Sequence, residues 1–255
     1  VAVILCLSCF PGRIHAQDQP QTTVQVVSLD QDPDINTWVA GVKERFDGTV
    51  TADVRTLEIT RADLARGFAN PGDWMFLAGH FTDEFWHHTQ DETEGPRVKV
   101  LADKVVLEQD GEVLAEYDKP QPYVENPGPR YVFLRGCATL KDREVVQRAR
   151  AFFARGDGTP PVLIGWVDNT GWQITQAALG GFGNKPPMPR KDFFDRLPEA
   201  DVDEHDVIEA WLGAVAETFW GKGSPVDASA SCIDSGGVEW VLKDDKIVRS
   251  GRKFE

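Results

Sequence analysis

Two short apolar runs in this chain each end in glycine followed by a residue able to do proton or thiol chemistry. Trp74-Met75-Phe76-Leu77-Ala78-Gly79 leads into His80, and Tyr131-Val132-Phe133-Leu134-Arg135-Gly136 leads into Cys137. A strand covered on both faces has no solvent side, so its sequence reads as a continuous apolar run rather than an alternation. In open sheets of such strands, reactive groups collect beyond the strands' carboxyl ends. If the two strands are neighbours, His80 and Cys137 emerge side by side at one edge of the sheet.

The surrounding pattern fits a single α/β domain over residues 17–255 with a mostly parallel sheet. Val24 to Leu29 reads as a first strand. A helix follows from Asp34 to Phe46, with Ile35, Trp38, Val39, Val42 and Phe46 on one face. Val50 to Ile59 is a second strand, and Thr60 caps a short helix that stops near Asn70-Pro71-Gly72. Strand, helix, strand, helix, strand implies right-handed crossovers and parallel pairing.

The period then changes. Phe81 to Gly95 shows no clear repeat, whereas Val98 to Leu107 and Val113 to Tyr117 flank Gln109-Asp110-Gly111. Asp-Gly between β-rich segments predicts a hairpin inserted beside the sheet. Tyr131 to Leu134 resumes the sheet, Asp142 caps a helix with an apolar stripe, and Pro161 to Val167 is a fifth strand. Helices are expected beyond Thr170 and from Asp206 to Trp220. Val238 to Leu242 and Lys246 to Val248 form a terminal hairpin.

Val1 to Phe10 is an apolar segment and Pro11 to Ala16 reads as a cleavage region, so residues 1–16 read as a signal peptide. That makes the protein secreted or periplasmic. A lipid anchor at Cys9, after Leu7-Ser8, is the lesser alternative. No later stretch is long and apolar enough to span a membrane. The formal net charge of −14 argues against nucleic acid or anionic lipid as a partner.

A thiol needs a neighbouring base or positive charge to ionise at neutral pH. With Cys137 as nucleophile, His80 serves as general base, and the amides of Cys137 and of the His80 loop are oxyanion donors. Gly79, Phe81 and Gly136 supply the surrounding backbone. This chemistry needs no cofactor. Two other readings compete with it. Cys137 and Cys232 could form a structural disulfide in a non-catalytic binding module whose Phe81 to Trp86 loop meets a partner. Alternatively, His80, Asp83, Glu84, His87 and His88 could serve a metal-dependent hydrolase, since on a helix His80, Glu84 and either His87 or His88 share a face.

The order of elements, with strands ending in Gly-His, in Gly-Cys and in Trp166-Val167-Asp168, resembles the caspase-haemoglobinase fold of cysteine peptidases, especially its CHAT-like and gingipain-like branch. The resemblance is readable mainly from Trp74 to Trp220. It implies a three-layer domain and peptide-bond hydrolysis of a peptide or protein substrate by a dyad of Cys137 and His80. It also implies that Trp166 and Asp168 stand near bound substrate, and that Arg135 either favours an acidic substrate residue or simply forms a salt bridge. Two positions depart from the family pattern. Phe81 stands where the family carries a glycine whose amide binds the oxyanion. Arg135 stands where several branches carry an acidic residue that selects basic side chains. These departures keep a degenerate, non-catalytic member open as the alternative.

Overall fold

The computed structural model describes residues 23–29, 49–55, 59–69, 71–87, 95–120, 127–136, 138–167, 202–220, 230–244 and 246–255. The expected leader at 1–16, the helices over 34–46 and beyond Thr170, and Cys137, Asp168 and His88 lie outside these residues.

The chain is α/β, and among the described residues it is richer in strand than in helix. The strands β1 (Thr23–Ser28), β2 (Thr49–Arg55), β3 (Trp74–Ala78), β9 (Tyr131–Arg135), β10 (Val162–Trp166), β11 (Ala230–Ile233), β12 (Val238–Lys243) and β13 (Lys246–Lys253) form an 8-stranded sheet. Its order is β13-β12-β11-β10-β9-β3-β1-β2. The strands β2, β1, β3, β9 and β10 pair in parallel, and β11 to β13 continue the sheet antiparallel. The sheet is therefore mixed, and the expected terminal hairpin is its far edge.

The three apolar runs behave as doubly covered strands should. Every residue of β3, β9 and β10 is buried. One face of the sheet, including Phe76, Phe133, Ile164 and Cys232, packs on α3 (Glu204–Trp220) through Val207, Trp211 and Val215. The opposite face, including Leu77, Leu134 and Leu163, packs on α1 (Arg61–Phe68) and α2 (Arg143–Phe152) through Phe68, Val146 and Phe152. Burying each such large apolar side chain stabilises the fold by about 1.5–3 kcal/mol.

Both helices on that face start where their caps dictate. The Thr60 hydroxyl accepts from the Asp63 amide, and the Asp63 carboxylate accepts from the Thr60 amide, a reciprocal box. Asp142 accepts from the amides of Glu144 and Val145. Each cap contributes about 1 kcal/mol.

The insert after β3 is larger than the single hairpin expected. Strands β4 (His80–Thr82), β5 (Phe85–His87), β6 (Arg97–Val100), β7 (Lys104–Gln109) and β8 (Glu112–Asp118) form a second, antiparallel sheet in sequence order. The expected turn at Asp110-Gly111 joins β7 to β8, with φ of 53° and 83°. A second two-residue turn, Asp83-Glu84, joins β4 to β5 with φ of 48° and 75°. Positive φ at both central residues is the type I′ geometry that matches strand twist. The inner face of this sheet, Phe81, Trp86, Val98 and Leu107, belongs to the same core as α1 and α2.

Candidate active site

The site follows from one pairing. Strands β3 and β9 are adjacent and parallel, with Leu77 opposite Leu134 and Ala78 opposite Arg135. The contact continues past the ladder, because the Gly79 amide donates to the Arg135 carbonyl at 3.1 Å. Gly79 and Gly136 therefore leave the sheet together. Both positions are crowded. A β-carbon on Gly136 would stand 2.8 Å from the Phe81 Cβ, 2.9 Å from the Trp86 ring and 3.1 Å from the Gly79 carbonyl oxygen. A β-carbon on Gly79 would stand 2.9 Å from the His87 carbonyl oxygen. The glycines are needed because the second sheet closes directly over the two strand ends.

His80 opens β4 and pairs with His87 on β5. Paired residues project to one face of a sheet, so both lie opposite the Phe81 and Trp86 face. His87 is buried and His80 is half-buried. In a two-residue hairpin the pair flanking the loop exchanges hydrogen bonds and the next pair does not. Thr82 and Phe85 are the bonded pair and Phe81 and Trp86 the unbonded one. The Phe81 amide thus faces away from β5, on the side of β4 that pairs with no strand among the described residues.

Beyond Cys137 the chain turns sharply. Ala138 adopts φ +52°, a left-handed conformation that costs a non-glycine residue about 1–2 kcal/mol. The following residues are tied to both neighbouring strands. The buried Thr139 hydroxyl donates to the Leu134 carbonyl at 3.2 Å and accepts from the Trp166 amide at 3.4 Å. The Leu140 amide donates to the Trp166 carbonyl at 2.7 Å. Gly165 leaves room for this seat, since a β-carbon there would stand 2.6 Å from the Thr139 hydroxyl.

Arg135 and Trp166, expected near substrate, are each 1% exposed. By strand alternation Arg135 lies on the α3 side with Tyr131 and Phe133, and Trp166 packs edge-on against Trp211 at 5.3 Å. Neither presents an open surface to a substrate side chain.

The disulfide expectation is overturned. Cys232 is a free thiol, fully buried, and burial pushes its pKa well above the ordinary thiol value. Cys232 pairs with Ile164, which pairs with Phe133. Gly136 is three residues further on, so about 10 Å along the strands and about 10 Å across them separate it from Cys232. A disulfide spans at most about 7 Å between α-carbons.

The helical spacing invoked for a metal site is also replaced. Glu84 sits in the β4–β5 turn, where its carboxylate binds Lys99 and Arg148, both at 2.7 Å. The hydrogen bond from Lys99 is the main cause holding its pKa below the usual carboxylate value, with the Arg148 charge assisting against partial desolvation. Among the described residues no group of three or more His, Cys, Asp or Glu is arranged to hold a metal ion. Nor does the Phe81 to Trp86 segment display its aromatic rings to a partner. Phe81 and Trp86 pack on each other at 4.9 Å inside the core, and the Phe85 ring is covered by Arg97 at 3.9 Å.

Among the described residues no helix is long and apolar enough to cross a membrane. No protein-family model matches the chain, and searches of curated proteins and of solved structures return no significant match.

Proposed function

We propose that the chain is an exported cysteine peptidase-like protein that hydrolyses peptide bonds with Cys137 as nucleophile and His80 as general base. The observation that carries this reading is the in-register pairing of β3 with β9, which brings Gly79 and Gly136, the residues that precede His80 and Cys137 in sequence, to one edge of the sheet. Two further features support it. Strained backbone at Ala138 follows the thiol directly, and such strain persists where the surroundings over-determine a geometry, often at functional sites. The Phe81 amide, on the side of β4 away from β5, is an oxyanion donor even though phenylalanine replaces the family's glycine.

In this mechanism His80 removes the Cys137 proton and the thiolate attacks the scissile carbonyl. His80 then returns the proton to the leaving amine, and water hydrolyses the thioester. The fold would be that of the caspase-haemoglobinase peptidases, with the second sheet roofing the strand ends.

The test is hydrolysis of a mixed-sequence peptide library by the wild-type chain and by Cys137→Ala and His80→Ala variants. Both substitutions are expected to abolish cleavage. Full activity in Cys137→Ala would remove this thiol from the chemistry.

A further inference from the structure

The turn after Cys137 is held from a third direction. Arg252, on β13, donates through one guanidinium nitrogen to the carbonyls of Leu140 at 3.3 Å and Lys141 at 3.1 Å. Its other terminal nitrogen binds the Glu239 carboxylate at 2.9 Å. Glu239 is 1% exposed, and a buried carboxylate is tolerated only with full hydrogen-bonding and a countercharge. Ser231 donates to one of its oxygens at 3.0 Å and Ser250 to the other. This network lies on two strands of the C-terminal hairpin and on β11, all remote in sequence from the turn it reaches.

We propose that Arg252 is a positioning residue for Cys137, with Glu239 fixing the guanidinium so that its fork holds the Leu140 and Lys141 carbonyls. The proposal rests on reading Cys137 as the nucleophile. The physical need is specific. Ala138 stores strain in the first residue after the thiol, and among the described residues Thr139 and Leu140 hydrogen-bond toward β9 and β10. Arg252 supplies the tie toward the far side of the sheet. A guanidinium is suited to this, because its planar fork binds a carboxylate and carbonyls at once in fixed directions, which an ammonium cannot match. Loss of the tie would let the turn relax at Ala138 and Thr139, the residues that directly follow the thiol in sequence.

Alkylation by iodoacetamide tests this directly, with mass-spectrometric peptide mapping assigning the label to Cys137. The full chain is compared with Arg252→Lys and with the double variant Arg252→Ala/Glu239→Gln, which removes the clamp without leaving a buried unpaired carboxylate. Circular dichroism confirms folding in each case. In the double variant, alkylation of Cys137 at neutral pH is expected to slow by about tenfold or more. Its pH midpoint is expected to rise toward the ordinary thiol value of about 8.5. Arg252→Lys is expected to recover part of the lost rate. A double variant with the wild-type rate and midpoint would overturn the proposal. Peptide hydrolysis is scored separately: an inert wild-type chain would refute the nucleophile reading, while the alkylation comparison still decides the role of Arg252.

Discussion

The Gly79 amide donates to the Arg135 carbonyl at 3.1 Å, carrying the β3–β9 pairing one step past its last ladder residue. That bond keeps the two strand ends parallel until the chain turns away at His80 on one side and beyond Gly136 on the other. The site therefore depends on how closely the two glycines are packed, and this can be tested by adding a single methyl group.

Gly136→Ala places that methyl within 2.8 Å of the Phe81 Cβ and 2.9 Å of the Trp86 ring. Neither neighbour can retreat freely, since both are buried in the core beneath the second sheet. Overpacking of this kind costs about 1–3 kcal/mol. A urea midpoint lowered accordingly, with loss of peptide hydrolysis, is the expected outcome. An unchanged midpoint would mean the second sheet does not press on the strand ends.

Thr139→Val keeps the side-chain shape and removes the hydroxyl that bridges the Leu134 carbonyl and the Trp166 amide. Both backbone groups are buried, and the loss is expected to cost about 1–3 kcal/mol. Thr139→Ser retains the hydroxyl and is expected to fall between valine and wild type in equilibrium unfolding.

The Glu84 carboxylate links the β4–β5 turn to Lys99 on β6 and Arg148 on α2. Its folded-state pKa is lowered from 4.5, chiefly by the hydrogen bond from Lys99. The folded state thus binds this proton less readily than the unfolded chain does. The stabilisation is complete above the ordinary carboxylate value and is lost as pH falls through the lowered one. The side chain is 34% exposed, so solvent screening limits the effect to about 1 kcal/mol or less. Glu84→Gln is expected to lower stability at pH 7 and to flatten the acid limb below pH 4.5, read from thermal melts over a pH series. An acid limb as steep as in wild type would contradict it.

Cys232 faces α3 from β11 and is fully buried, with its thiol pKa raised by desolvation. In the folded protein it is expected to resist a disulfide-exchange reagent until the chain unfolds, and to react then without prior reduction. Rapid labelling of Cys232 under native conditions, or a requirement for reductant in denaturant, would each refute this.

Much of the fold was legible because its signals are local. The runs at Trp74–Ala78, Tyr131–Arg135 and Val162–Trp166 declare strands covered on both faces. Thr60 and Asp142 declare helix starts by what their side chains can accept, and Asp110-Gly111 declares a turn by its tolerance of positive φ. The β4–β5 hairpin was not legible, because Asp83-Glu84 contains no glycine. Its strained turn is supported by Lys99 and Arg148, far along the chain. Strand β11, four residues long, was missed because what defines it is pairing with β10 and β12.

By itself the sequence determined the apolar strands Trp74–Ala78, Tyr131–Arg135 and Val162–Trp166, where His80 and Cys137 fall relative to them, and that each follows a glycine. Periodicity and side-chain chemistry carry that much. Only the tertiary structure decided that β3 lies beside β9, that Cys232 is far from the turn after β9, that Arg135 and Trp166 face inward, and that Arg252 reaches the Leu140 and Lys141 carbonyls. Each of these joins residues distant along the chain. Such contacts are selected by the burial and hydrogen bonding of the whole sheet at once, which no local window of residues encodes.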